Sequence, residues 1–301
     1  MTRSDFLGAL DWNAGETVLA PEVGGPGSWV GGPSAVNHDG VLYLAYRLRR
    51  PVGEGRGFAN VIARSVDGVH LETLAVIDRE RHHADSLERP CLVRTDHTWR
   101  LYLSCATPGS KHWRVDLLEA ESVEELPDAV PVTVLPGDAR TAVKDPVILR
   151  GENGWQLWAS CHPLDDSDAT DRMTTEYAIS GDGIDWTWHG TALAGRPGTW
   201  DARGVRFSAV LPLSDGVLAL YDGRASEAEN WEERTGAALA DSTAGPWIAA
   251  DAPVFSSPFG SGGLRYFSAV ADPGGGTRIH YEGARPDGSH ELRTQLLPPD
   301  S

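Results

Sequence analysis

The sequence predicts an all-β chain built as a five-bladed β-propeller, and three observations carry that expectation. Apolar residues fall in short alternating runs, with no sustained helical period. Those runs are punctuated by 34 glycines and 20 prolines. A unit of short strand, polar turn and longer strand recurs five times along the chain at a near-constant interval.

The five units are "GGPSAVNHDGVLYLAYR" (31–47), "ERPCLVRTDHTWRLYLSCA" (88–106), "KDPVILRGENGWQLWASCH" (144–162), "VRFSAVLPLSDGVLALYDG" (205–223) and "LRYFSAVADPGGGTRIHYEG" (264–283). Aligning the start of each first strand gives Pro33, Pro90, Pro146, Phe207 and Phe267, spaced by 57, 56, 61 and 60 residues. Each hairpin is followed by another strand pair, with turns such as "SVDGVH" (65–70) and "SGDGIDW" (180–186). Four antiparallel strands at this period make a propeller blade, and five repeats fill residues 1–301 as a single domain. A lone blade cannot bury both its faces, so the five should close into one ring around a central channel.

In a propeller the first strand of each blade lines the channel, and its start meets the end of the second strand on one face. This register puts Glu88 and Arg89, Lys144 and Asp145, Val205 and Arg206, and Arg265 and Tyr266 around a single mouth. The second-strand ends add Arg47, His162, Asp222 and Glu282. The loop "TWDARG" adds Trp200, Asp201 and Arg203, and "GRASEAENWEERTG" adds Arg224, Trp231, Glu232, Glu233 and Arg234. So many charges on one small concave face must be mutually desolvated, a cost that a structural role alone rarely justifies. The mouth is therefore expected to be the only large pocket, with Asp145 on its wall.

A formal net charge of −17 argues against nucleic-acid and anionic-membrane partners. No window reaches the ~20 apolar residues of a membrane span. Cys91, Cys105 and Cys161 lie in apolar strand-like runs without metal-type spacing, which reads as buried reduced thiols in a cytoplasmic protein. No transition metal or other cofactor is expected. The acidic loop "HPLDDSDATD" (162–171) offers Asp165, Asp166, Asp168 and Asp171 to calcium, but it matches no EF-hand and reads first as a solvated loop.

A five-bladed propeller with "DP" opening an inner strand resembles the arabinanase/xylosidase and invertase types of glycoside hydrolase, and "RP" and "KDP" are similar to the mannoside phosphorylase branch. The arabinanase type carries three carboxylates at strand starts in blades one, three and four, serving as general base, orienting group and general acid. The resemblance implies the orienting role for Asp145. The base position falls on Gly32 and the acid position on Arg206, so two of the three carboxylates are missing here.

Two chemistries fit the mouth. A glycosidase needs one carboxyl to protonate the leaving oxygen and another to activate water. Asp145, Asp222, Glu282, Glu88 and Asp201 are the catalytic candidates, with Asp222 or Glu282 able to replace the missing acid. Trp200, Trp231 and Tyr266 offer faces for a sugar ring, and His162 and Glu233 offer polar contacts. The second chemistry is anion recognition: Arg89, Lys144, Arg203, Arg206 and Arg265 come from different blades yet aim at one spot. The expected function is a carbohydrate-active enzyme of glycoside-hydrolase type on a small polar or acidic glycoside. A phosphorylase, or a non-hydrolytic sugar- or anion-binding or biosynthetic propeller, are the alternatives.

Overall fold

The computed structural model describes residues 1–151, 154–166 and 168–299. A short helix α1 (Arg3–Gly8), capped by the Thr2 side chain, precedes strand β1 (Glu16–Leu19). Blade one is β2 (Trp29–His38), β3 (Val41–Arg49), β4 (Gly57–Ser65) and β5 (Glu72–Asp78). Blade two is β6 (Cys91–Arg94), β7 (Trp99–Ala106), β8 (Trp113–Ala120) and β9 (Val132–Leu135). Blade three is β10 (Thr141–Gly151), β11 (Gly154–Pro163), β12 (Thr174–Ser180) and β13 (Thr187–Leu193). Blade four is β14 (Gly204–Leu213), β15 (Gly216–Arg224), β16 (Arg234–Ala240) and β17 (Ile248–Ala249). Blade five has only three strands of its own, β18 (Leu264–Ala271), β19 (Thr277–Ala284) and β20 (His290–Leu297).

The fourth strand of blade five is β1, which pairs antiparallel with β20 through Glu16↔Thr294 and Thr17↔Arg293. The repeat pattern did not reveal this, because a four-residue strand has no partner nearby in sequence. The inner strands β2, β6, β10, β14 and β18 neighbour one another in cyclic order. A parallel bridge between Trp29 and His290 also ties blade one to blade five. Apolar clusters fill the spaces between adjacent blades; Val93, Tyr102 and Val115 of blade two, for example, pack with Val143, Ile148 and Trp155 of blade three.

The turns "SVDG" and "SGDG" share one hydrogen-bond scheme. Ser65 and Ser180 accept from the amides of Gly68 and Gly183, both 2.9 Å, while Asp67 and Asp182 cap the next two amides. Gly68 and Gly183 have φ of 76° and 77°, a left-handed conformation that glycine adopts without penalty.

The inner strands carry bulges just where the repeat units begin: between Gly31 and Ser34, Lys144 and Val147, Phe207 and Ala209, and Arg265 and Ser268. In three of them a residue turns left-handed, at Gly32 (φ 62°), Asp145 (φ 52°) and Tyr266 (φ 58°). Bulges re-aim side chains and bend the strand. Aspartate tolerates the left-handed region fairly well; a tyrosine there is strained and has to be held by its surroundings.

Candidate functional site at the channel mouth

A cavity of ≈ 400 Å³ opens at the mouth. Its wall carries eight cationic side chains (Arg47, Arg49, Arg56, Lys111, Lys144, Arg206, Arg224 and Arg265) and three carboxylates (Glu88, Asp171 and Glu233). Of the residues expected at the mouth, Arg47, Glu88, Lys144, His162, Arg206, Arg224, Trp231, Glu233, Arg265 and Tyr266 stand on this wall.

Beneath the wall runs a buried ion-pair network. Arg206 donates to Asp145 at 3.0 Å and to Asp222 at 2.8 and 3.0 Å, while its guanidinium lies 4.0 Å from the centre of the Tyr266 ring. Arg47 bridges Glu88 and Glu282, the latter at 2.6 Å. Arg265 donates to Glu282 and Glu233, both at 2.7 Å, and Arg224 pairs with the other oxygen of Glu233. His290, absent from the sequence expectations, is completely buried between Glu282 at 3.0 Å and Glu232 at 3.2 Å. Tyr266 is fixed in its strained conformation by its amide, which donates to Asp222 at 3.0 Å.

The expectation that Asp145 lines the pocket is corrected. Asp145, Asp222 and Glu282 have no exposed surface; they lie behind the arginines that they neutralise. Asp201 is also buried, but away from the mouth: it accepts from Arg196 at 2.9 Å and from the Tyr221 hydroxyl at 2.8 Å, anchoring the loop into blade four. Trp200 stacks on Tyr221 at 5.6 Å and packs over Gly223 and Gly236 rather than facing the cavity.

The anion cluster is also composed differently. Arg89 points down the channel, donating to the carbonyls of Pro33, Ser208 and Phe267 at 3.2, 2.7 and 2.9 Å, so it ties blades one, four and five together. Arg203 turns outward and grips Asp171 at 2.6 and 2.8 Å. Arg206 and Arg265 are engaged with carboxylates. The cations with the loosest acid partners are Arg49, Arg56 and Lys144. Arg49 stands 3.7 Å from Glu88, and Lys144 3.7 Å from Asp145, both beyond hydrogen-bond reach. Among the described residues Arg56 has no carboxylate within ion-pair distance.

Aromatic rings back these three. Lys144 and Arg56 lie 4.7 and 5.2 Å from the Trp113 ring centre, and Arg49 lies 4.3 and 5.1 Å from those of Trp29 and Trp231. Trp29, Trp113, Arg49 and Arg56 were missed because they stand two to nine residues outside the aligned strand starts and ends. The proximity of "WV" to the first repeat and of "HW" to the start of β8 was the only sign in the sequence.

The titration states follow from burial against charge. Burial opposes ionisation of Glu88, but the charges of Arg47, Lys144 and Arg49 prevail and hold it down to about 2. Glu233 is likewise depressed in spite of burial, by Arg265 and Arg224, and Asp171 by its hydrogen bond from Arg203. Burial raises Asp222 even against Arg206. Burial pushes Lys144 down and Arg49 down to about 10. His162, buried and beside Lys144, is held far below its usual range, with its ring nitrogens engaged by Ser160 and the Thr170 carbonyl. Asp165 and Asp171 of the acidic loop pair with Arg140 and Arg203. Among the described residues no three His, Cys, Asp or Glu side chains gather as metal ligands.

A second, larger cavity of ≈ 860 Å³ flanks blade three, so the mouth is not the only large pocket. It shares His162 and Met173 with the mouth.

No protein-family model and no curated protein matches this chain. Solved structures do. A thermostable family-43 glycoside hydrolase superposes with a TM-score of 0.70 at 14% identity, over 92% of this chain and 90% of that one. An α-L-arabinofuranosidase from Lactobacillus brevis gives 0.68 at 15%, over 89% and 90%. A β-1,2-mannobiose phosphorylase from Listeria innocua gives 0.65 at 16%, over 93% and 94%. At these identities the likeness is one of architecture. The chain therefore has the propeller fold shared by these glycoside hydrolases and phosphorylases.

Proposed function

We propose that this protein is a carbohydrate-active enzyme whose channel mouth takes a small acidic glycoside, its carboxylate or phosphate held by Arg49, Arg56 and Lys144. The observation that carries the reading is the charge of the wall: eight cations against three carboxylates, in a chain of net charge −17. Arg49, Lys144 and Arg56 keep donors that no carboxylate takes up at hydrogen-bond distance, and an anionic ligand would satisfy them. Trp231, exposed at the wall, supplies an apolar face for sugar C–H groups, while Trp29 and Trp113 lie buried beneath the cations that they hold in place.

Glu88 is ionised and faces the cavity, which suits it to stabilise positive charge at the anomeric carbon, while a carboxylate held down to about 2 is a weak base toward water. Hydrolysis also needs a proton for the departing oxygen. All three wall carboxylates are depressed, so none of them holds a proton near neutral pH. A weak base and the lack of a protonated carboxyl favour a second reading, phosphorolysis: phosphate in the cationic cluster attacks the anomeric carbon in place of water, needs no base to activate it, and carries a proton that can pass to the departing oxygen.

Calorimetric titration with D-glucuronate, glucose 6-phosphate and inorganic phosphate tests the anion cluster. An acidic probe should bind, and Lys144→Gln or Arg56→Gln should weaken it about tenfold or more with the fold intact. Equal affinity for glucose and its acidic counterparts would sink the reading. A panel of acidic glycosides assayed with and without phosphate then separates the two chemistries; no turnover with binding intact would leave a sugar-binding protein.

A further inference from the structure

We infer that the ≈ 860 Å³ groove flanking blade three is a second saccharide subsite, which takes a neutral sugar unit joined to the acidic unit in the mouth. The inference rests on the reading of the mouth as an acidic-glycoside pocket. Three features support it.

The first is adjacency. His162 and Met173 belong to the walls of both cavities, so the mouth and the groove lie side by side. The partition is rigid and uncharged: Ser160 and the Thr170 carbonyl hold both nitrogens of the His162 ring, and burial keeps that ring neutral. A ligand confined to the smaller mouth would leave the larger space empty.

The second is charge. Arg140, Arg172 and Arg203 face Asp138, Asp165 and Glu176 in the groove, an even balance that contrasts with the cationic mouth. Two of those arginines are already paired, Arg140 with Asp165 at 3.1 Å and Arg203 with Asp171 at 2.6 Å. An electroneutral wall with paired charges hydrogen-bonds an uncharged polyol and gives no preference to an anion.

The third is the aromatic surface. Trp186 and Trp188 line the groove, and Trp188 is 43% exposed on the outer strand β13. Tryptophan is among the residues least often left in water, and a flat indole at a groove is a platform for the C–H face of a sugar ring. Together these features describe an elongated ligand, anionic at the mouth end and neutral at the groove end.

The test compares D-glucuronate with an aldobiouronic acid (glucuronate linked to xylose) by calorimetry on the intact protein. The disaccharide should bind about tenfold tighter than the monosaccharide. Trp188→Ala should remove about fivefold of that affinity, and Ala194→Trp, which fills the groove from an exposed position, should remove the whole advantage. Glucuronate binding should be the same in both variants, which also shows that they fold. No advantage for the disaccharide, or an advantage indifferent to both variants, overturns the subsite. If glucuronate itself does not bind, the reading of the mouth fails. The groove is then judged on neutral xylobiose, whose binding must appear in the unmodified protein and vanish in Ala194→Trp.

Discussion

Asp145 stands in a left-handed conformation at the bulge of β10 and has no exposed surface. Its two oxygens divide their work: one accepts from the Arg89 amide at 3.3 Å, the other from Arg206 at 3.0 Å. The strand register alone showed that it belongs to the channel mouth. It could not show that a neighbouring arginine would cover it, because that depends on which way two long side chains turn. The same ambiguity let Arg89 pass for an anion ligand, although its guanidinium ties three blades together from inside the channel. Two outcomes follow. Asp145→Asn keeps the shape, the left-handed tolerance and the bond from Arg89, but halves the compensation of a buried guanidinium. It should destabilise by about 2 kcal/mol, while Asp145→Ala should cost more. Arg89→Met should cost about 3 kcal/mol, because it strands the carbonyls of Pro33, Ser208 and Phe267 in the channel. Urea denaturation of the three variants checks both, and a neutral effect of Arg89→Met would remove it from the structural role assigned here.

At the scale of elements, the repeats were legible because each blade opens with the same strand–turn–strand unit and two of them reuse an S-x-D-G turn with a defined hydrogen-bond scheme. The closure of the ring was not legible, since the strand that completes blade five lies at the opposite end of the chain, in "ETVL". The helix before it serves the same closure: Phe6 is 1% exposed and packs with Leu218 and Leu220 of blade four and Phe267 of blade five. Arg3 adds a hydrogen bond from its amide to Asp215 at 2.8 Å. Phe6→Ala should therefore cost about 3–4 kcal/mol, as an aromatic removed from a close-packed core does. Loss of residues 1–19 should do more, exposing the edge of β20 and promoting self-association. Denaturation of the point variant and light scattering of the truncated chain measure the two effects. A truncated chain with unchanged stability would mean that β1 only decorates a ring already closed by the Trp29–His290 bridge.

At the scale of the whole molecule, the burial of its histidines and the pairing of its carboxylates with arginines set the protein's response to pH. Three buried histidines, His82, His162 and His280, are held neutral by burial, His280 down to about 4. In the unfolded chain they would take protons near pH 6.5. Between about pH 6.5 and their folded values the unfolded state thus binds more protons, and stability falls as the pH falls. The carboxylates act lower. Glu88, Glu233 and Glu282 are depressed by arginines, so the stability they contribute is complete above about pH 4.5 and is lost as the pH falls towards 2. Asp222, raised by burial, works in the opposite sense, but it is one group against three. The expected profile has two stages: an early decline beginning near pH 6.5 from the histidines, then a steeper collapse below about pH 4.5 as the mouth network protonates. Melting temperatures taken from pH 7.5 to 3, with His280→Gln as the comparison, separate the stages. That variant should flatten the early decline and leave the late one in place. A decline that starts only below pH 5 in the unmodified protein would show that the histidines gain protons in the folded state as readily as in the unfolded one.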